Sequence, residues 1–206
     1  IVGQGNDKTF IDGGSVSPFL KSVSGDTALT LINISFINGK ANTGSMINCG
    51  GNLTVDNCVF ENNYATSSQG ALVSKGMDLK VTNSVFKNNT ASNQGPDICF
   101  NNNNGNVYIG NSSFYNAINK GYSCGASVFI YNSKNAKIIG NTFKDIVGNY
   151  NDAALKVKSD NGQIMNNVFI NCTNTNTETG YWAQYGVIYI EGNNILKQNK
   201  FVNKIR

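Results

Sequence analysis

The chain offers few of the side chains that enzymes use for acid–base or nucleophilic chemistry. It has no histidine among its 206 residues, so the commonest general base and every Ser–His or Cys–His catalytic pair are missing from the sequence. Its single arginine, Arg206, is the last residue of the sequence given. These features disfavour an enzyme, and we predict no catalytic residue.

Paired carboxylates offer another route, because glycoside hydrolases need two carboxyl groups facing each other across roughly 5–10 Å. Asp97 and Asp152 fall in matching segments of a repeat described below, with one repeat between them. That spacing places them about 10 Å apart at best, and we expect both to end strands at turns. A polysaccharide lyase or glycoside hydrolase is therefore the alternative to a non-enzymatic domain.

Aromatic residues suggest a different chemistry, the stacking of side-chain rings on sugars. They lie in segments that depart from the repeat, the longest of which, 174–184, contains the only tryptophan. Aromatic side chains are common anchors of binding surfaces, although here they could instead fold back over apolar residues of their own loops. The residues that we predict to form a ligand-binding flank are Tyr122, Tyr150, Tyr181, Trp182 and Tyr185.

Charge and cysteine usage limit the partners. The net charge is only +4, the lysines are scattered, and there is almost no arginine, so we expect no nucleic acid partner. No run of 18 apolar residues occurs, so we expect no membrane-spanning segment. The five cysteines form no Cys-x-x-Cys pair, so we expect no metal and no cofactor. Cys58 lies at an inward position of the repeat and is predicted to be a buried thiol.

The elements that would position these residues follow from a string, Phe-x-Asn or Phe-x-Asp, that recurs every 24–32 residues. From the second string onward, an apolar residue stands five positions before the Phe, and an Asn or Gln usually stands three before it, with Gly140 as the exception. Self-similarity at this period indicates a solenoid. The phenylalanines predicted to form its structural column are Phe10, Phe36, Phe60, Phe86, Phe114, Phe143, Phe169 and Phe201.

Short alternating apolar and polar segments within each repeat predict strands and no core helix. We therefore predict an all-β fold, a right-handed parallel β-helix of about eight coils, as one domain over residues 1–206. The chain contains 36 asparagines, which fit left-handed turn positions and an asparagine ladder between coils. Glu61 and Lys87 occupy equivalent positions one coil apart and predict a surface salt bridge. A disordered Asn-rich chain and an antiparallel sandwich are the alternatives.

Two segments carry a resemblance to known proteins: Leu53-Thr-Val-Asp-Asn-Cys-Val-Phe-Glu-Asn-Asn63 and Leu79-Lys-Val-Thr-Asn-Ser-Val-Phe-Lys-Asn-Asn89. They resemble the repeats of adhesin-like surface proteins of methanogenic archaea, and also the repeats of chlamydial polymorphic outer-membrane proteins. The resemblance covers essentially the whole chain, although Gly140 and Gln198 replace the expected Asn. It implies a right-handed parallel β-helix from an archaeal cell surface, and a chain that is a fragment of a longer surface protein.

The expected function follows from the resemblance and from the weak case for catalysis. We expect a non-enzymatic extracellular adhesin or cell-surface stalk domain. Its partner would be a polysaccharide or the surface of another cell, bound through the aromatic flank. The sequence leaves the oligomeric state open.

Overall fold

A computed structural model of the chain describes residues 1–21, 28–121, 126–148, 152–174 and 186–202. Within these ranges the chain forms 28 β-strands and no helix. Every strand pairing among the described residues is parallel. The predicted fold class, an all-β parallel β-helix, is confirmed.

Each coil contributes one strand to each of four parallel sheets, numbered here in the order in which the chain passes through them. Sheet 1 contains β3 Leu29–Ile32, β7 Leu53–Asp56, β11 Asp78–Thr82, β15 Asn106–Gly110, β19 Asn135–Ile139, β23 Asn161–Met165 and β27 Asn194–Lys197. Sheet 2 contains β1 Phe10–Asp12, β4 Ser35–Ile37, β8 Val59–Glu61, β12 Val85–Lys87, β16 Ser113–Tyr115, β20 Thr142–Lys144, β24 Val168–Ile170 and β28 Lys200–Val202.

The other two sheets complete the coil. Sheet 3 contains the two-residue strands β5 Lys40–Ala41, β9 Tyr64–Ala65, β13 Thr90–Ala91, β17 Ile118–Asn119, β21 Val147–Gly148 and β25 Thr173–Asn174. Sheet 4 contains β2 Leu20–Lys21, β6 Ile47–Cys49, β10 Leu72–Ser74, β14 Ile98–Asn101, β18 Val128–Asn132, β22 Asp152–Lys158 and β26 Gly186–Glu191.

The number of coils is smaller than predicted. The described strands from β3 to β26 make six complete coils, with β1–β2 and β27–β28 as partial coils at the two ends. The expectation of about eight counted Phe strings, and each string marks one strand of sheet 2. Eight is therefore the number of strands in sheet 2 and not the number of complete turns.

Sheet 2 supplies the Phe column of the core. Neighbouring rings stack with centroids 4.7 to 5.1 Å apart and planes within 20° of each other, close to the spacing of adjacent strands. The stacked rings are Phe36, Phe60, Phe86, Phe114, Phe143, Phe169 and Phe201. All but the last are buried; Phe201, on the final strand, is 53% exposed.

Phe10 does not belong to this column, contrary to the prediction. Its strand pairs so that Phe10 lies opposite Ser35, and Ile11 lies opposite Phe36. Because a one-residue shift moves a side chain to the other face of a strand, Phe10 points outward and is 57% exposed. The ring of Phe19, 5.6 Å from that of Phe36, covers this end of the column instead.

The amide positions of the repeat lie where the chain turns. Three positions before each Phe of the column, the residue has a φ between 49° and 70°; the residues are Asn33, Asn57, Asn83, Asn111, Gly140, Asn166 and Gln198. Two positions after the Phe, φ lies between 50° and 57° at Asn38, Asn62, Asn88, Asn116, Asp145 and Asn171. Asparagine and glycine tolerate this left-handed region better than most residues, which confirms the predicted turns.

Stacked side chains join neighbouring coils at these turns. Asn57 Nδ2 donates to Asn33 Oδ1 at 2.8 Å, which is the predicted asparagine ladder. A second ladder, which is buried, lies one residue after the turn that precedes each Phe. There the backbone amide of Asn141 donates to Asn167 Oδ1 at 2.9 Å. On the surface, the predicted Glu61–Lys87 salt bridge is present at 2.9 Å.

Candidate functional site

The aromatic flank predicted from the sequence cannot be placed. Its members, Tyr122, Tyr150, Tyr181, Trp182 and Tyr185, lie outside the residues that the structure describes. The described residues of sheet 4 nevertheless carry outward-facing aromatic side chains of their own.

The outer surface of sheet 4 aligns aromatic and charged residues across three neighbouring strands. Phe129 on β18 pairs with Lys156 on β22, which pairs with Tyr189 on β26. Two positions further along each strand, the residues are Tyr131, Lys158 and Glu191, and Lys158 pairs with Glu191. Side chains at i and i+2 share a face of a strand. The sheet 4 aromatic face is the set Phe129, Tyr131, Lys156, Lys158, Tyr189 and Glu191.

Contacts within this face fix its rings. Lys156 Nζ lies 4.2 Å from the ring centroid of Tyr189 and 5.7 Å from that of Phe129, and both contacts are cation–π interactions. The rings of Phe129 and Tyr131 lie 5.9 Å apart and nearly parallel. Phe129 is only 1% exposed, whereas Tyr131 is 48% exposed. The buried ring of Phe129 thus packs against the accessible ring of Tyr131, and the exposed face of Tyr131 is suited to stacking on a ligand.

Charge is paired beside the rings. Lys158 Nζ lies 2.6 Å from Glu191 Oε1. The hydrogen bond and the negative charge of Glu191 raise the pKa of Lys158, with smaller contributions from Tyr131 and Tyr189. The ammonium group therefore stays charged at neutral pH and presents donors next to carboxylate acceptors.

A groove of about 440 Å³ adjoins this face where sheet 4 turns toward sheet 1. Its lining includes Asn132, Ser133, Lys158, Ser159, Asp160 and Glu191. The hydroxyl oxygens of Ser133 and Ser159 are buried and have no hydrogen-bond partner among the described residues. Both oxygens are closed off from the groove surface, so the polar atoms that the groove offers a ligand come from other lining residues such as Lys158, Asp160 and Glu191.

Asp97, one of the two carboxylates considered for hydrolysis, lies in the core. It stands at a bend before β14, but its side chain is fully buried. Asn89 Nδ2 donates to one carboxylate oxygen at 2.8 Å, and Ser127 Oγ to the other at 2.5 Å. Burial raises the pKa of Asp97 to about 7. Its place is structural, since no substrate reaches it. The side chain of Asp152 lies outside the described residues.

The described thiols and acids form no metal centre. Within the described ranges, no group of three His, Cys, Asp or Glu residues could hold a metal ion. Cys58 and Cys172 are buried, and burial raises the pKa of each thiol to about 11. Both thiols are therefore protonated and poorly reactive, and the prediction of a buried thiol at Cys58 is confirmed.

Sequence reasoning missed the sheet 4 aromatic face because it looked for function in the variable loops. A signal was present. Aligning the segments that begin at 126, 153 and 186 places Phe129, Lys156 and Tyr189 at one repeat position. Strand alternation would then have placed that position outward.

Comparisons with known proteins give no relative. No protein-family model, curated protein or solved structure matches the chain. The described residues also contain no helix long and apolar enough to cross a membrane. The case for function accordingly depends on the geometry of the chain itself.

Proposed function

We propose that this chain is a non-enzymatic extracellular adhesin or cell-surface stalk domain that binds carbohydrate through the sheet 4 aromatic face. The observation that carries the proposal is the row Phe129–Lys156–Tyr189 beside the exposed ring of Tyr131. Phe129 has a packing role, because it lies in a small buried cluster with Val73 and Cys99, whereas the inward columns already provide coil stacking without Tyr131 and Tyr189. The resemblance to archaeal surface proteins supports the same class of function.

The chemistry of the face fits a sugar. Tyr131 offers an accessible ring for the apolar face of a pyranose, and the Lys158–Glu191 pair offers donors and acceptors for its hydroxyls. The adjoining groove adds the amide of Asn132 and the carboxylate of Asp160. An aromatic surface combined with a few directed polar groups is typical of small-ligand sites.

A stalk uses the coil directly. The eight strands of sheet 2 are stacked at about 4.8 Å, so this sheet extends roughly 35 Å. Its stacked rings and amide ladders join every coil to the next, and such a unit holds a binding face at a fixed position along the axis.

A second candidate function is hydrolysis or lysis of a polysaccharide. The observation that favours it is that two carboxylates, Asp160 and Glu191, line the same groove. Incubation with a polysaccharide panel, with and without calcium, tests it. Release of reducing or unsaturated ends, lost in Asp160→Asn, would replace the adhesin proposal with an enzyme.

The binding proposal is tested by titrating the protein with a glycan panel and measuring affinity for the best ligand. We expect Tyr131→Ala and Tyr189→Ala each to weaken binding roughly tenfold, because each removes an aromatic anchor. Tyr115→Ala is the matched control, since Tyr115 lies on sheet 2. Absence of any glycan ligand, or an equal loss in the control, would contradict the proposal.

A further inference from the structure

The outer face of sheet 1 carries a second aromatic and cationic arrangement, separate from sheet 4. Lys80 on β11 pairs with Tyr108 on β15, which pairs with Lys137 on β19. Their strand neighbours Val81, Ile109 and Ile138 are buried in the core. The three side chains therefore form one outward row, with a tyrosine between two exposed lysines.

Tyr108 leans along its strand across Gly110. A methyl group placed on Gly110 would lie 2.7, 2.8 and 2.9 Å from the Oη, Cε1 and Cζ atoms of Tyr108. The ring takes this position because residue 110 has no side chain. Other described strands of sheet 1 carry a side chain at the paired position, namely Ile32, Asp56, Thr82, Ile139, Met165 and Lys197. The inclined ring is thus specific to this coil.

A groove of about 680 Å³ runs over this row. Lys80 and Lys137 line it, and neither forms an ion pair within the described part of the chain. Asp78 also lines the groove, but it accepts a hydrogen bond from Asn106 Nδ2 at 2.8 Å, and Asn106 Oδ1 accepts one from Asn135 at 2.7 Å. The lining therefore has two unpaired cations, one hydrogen-bonded carboxylate and a row of amides.

We propose that this groove binds a linear polysaccharide whose sugars carry carboxylates, a polyuronate. One sugar ring packs on the inclined ring of Tyr108, and carboxylates on either side pair with Lys80 and Lys137. The two lysines are two strands apart, about 10 Å along the axis, which is close to the span of two β-1,4-linked sugars. In an extended chain of that linkage, alternate carboxylates lie on the same side.

The polyuronate reading is favoured over two other ligands by the same row. A neutral glycan would use Tyr108 and the amides but would leave both ammonium groups without a counterion. Single-stranded nucleic acid would use the cations, but stacking of successive bases requires several aromatic platforms along the groove. The row offers one ring, and none of the other residues that line the groove is aromatic.

The test measures binding of β-1,4-linked polymannuronate oligomers by calorimetry, with neutral β-1,4-glucan oligomers of equal length as comparison. Lys80→Gln/Lys137→Gln should weaken polymannuronate binding roughly tenfold or more, since two charge-assisted contacts are lost. Lys144→Gln/Lys200→Gln, which removes the same charge from sheet 2, should change it less than about twofold.

Gly110→Thr gives the sharpest variant, because Thr82 already occupies the paired position on β11. It keeps Tyr108 and both lysines in the sequence but displaces the ring of Tyr108 from its inclined position, and it should weaken binding as much as Tyr108→Ala. Unchanged circular dichroism spectra and melting temperatures would show that all variants are folded.

Several results would overturn the proposal. These are no binding of polymannuronate, equal binding of the neutral glucan, equal loss in Lys144→Gln/Lys200→Gln, or tighter binding of a single-stranded oligonucleotide at the same salt concentration. Polymannuronate binding should survive Tyr131→Ala/Tyr189→Ala, because the two faces are separate. Failure of this proposal is thereby distinguishable from failure of the sheet 4 proposal.

Discussion

The inner and outer surfaces of the coil use aromatic residues in opposite ways. Inside, phenylalanine rings recur in every complete coil and stack face to face, with centroids 4.7 to 5.1 Å apart. Outside, the tyrosines at 108, 131 and 189 follow no repeat, lie beside lysines and keep part of each ring accessible. The stacking of neighbouring coils explains the inner rings but does not explain the outer tyrosines.

The contrast separates stability from binding. Inward rings lose contact with water and stabilise the fold by roughly 1.5–3 kcal/mol each before entropy is subtracted. The outer tyrosines bury less area, so their removal costs the fold little, whereas Phe129 is 1% exposed and packs in a small buried cluster with Val73 and Cys99. Substitutions on the two surfaces should therefore differ in their effect on stability.

Phe86→Ala should lower the free energy of unfolding by roughly 3–5 kcal/mol, because it removes a buried ring that stacks on both sides. Tyr131→Ala is the outer counterpart and should cost about 0.5 kcal/mol. Urea unfolding measures both. A loss below about 1 kcal/mol in Phe86→Ala would mean that the Phe column does not hold the coils together.

The buried carboxyl of Asp97 should affect the pH dependence of stability more than the surface carboxyl of Glu61 does. Burial raises the pKa of Asp97 from 3.8 to about 7, so folding takes up a proton between these values. The contribution of Asp97 is most favourable at low pH, and stability should fall by about 1.4 kcal/mol per pH unit as pH rises toward 7. Asp97→Asn should flatten this dependence, whereas Glu61→Gln should not. An unchanged slope in Asp97→Asn would show that another group titrates.

Phe201 tests the same column at its open end. Its ring stacks on Phe169 at 5.0 Å but is 53% exposed. Phe201→Ala should therefore cost about 1 kcal/mol, well below the cost of Phe86→Ala. Equal losses at the two sites, measured by urea unfolding, would contradict the burial difference between them.

The Glu61–Lys87 pair gives the smallest effect. It lies on the surface at 2.9 Å, and such pairs contribute about 0.2–1 kcal/mol. A double-mutant cycle with Glu61→Gln and Lys87→Gln should yield a coupling in that range, falling at high salt. A coupling that does not change with salt would indicate a contact other than an ion pair.

The inner surface was predicted well from the sequence because each coil needs the same residue types at the same inward positions. The Phe column from Phe36 onward and the left-handed amides follow from aligning repeats, as does one feature of the outer surface, the Glu61–Lys87 pair. Phe10 failed because the first string is displaced by one residue relative to its strand. Such a shift leaves no sign in the spacing of the motif but reverses the face of the strand.

The outer surface was less predictable, because coil stacking does not restrict which residue types occupy outward positions. Tyr108 became informative only when its ring was found to lie across Gly110. Asp97 was expected at a turn, but its carboxylate is buried and accepts hydrogen bonds from Asn89 and Ser127. Neither residue is a near neighbour of Asp97 in sequence, so the local strand pattern does not predict these contacts. Side-chain contacts of this kind depend on which residues the folded chain brings together, and the period of the repeat does not predict them.

The separation of inner stability from outer binding is tested most directly by measuring stability and glycan affinity on the same three proteins. These are the wild type, Phe86→Leu, and Tyr131→Ala/Tyr189→Ala, compared by urea unfolding and by calorimetric titration with the best glycan ligand. We expect stability and affinity to respond to different substitutions. Phe86→Leu should be less stable by about 1 kcal/mol with unchanged affinity, whereas the double tyrosine variant should keep its stability and lose binding. Loss of stability without loss of binding in the tyrosine variant would show that the outer rings serve the fold and not a ligand.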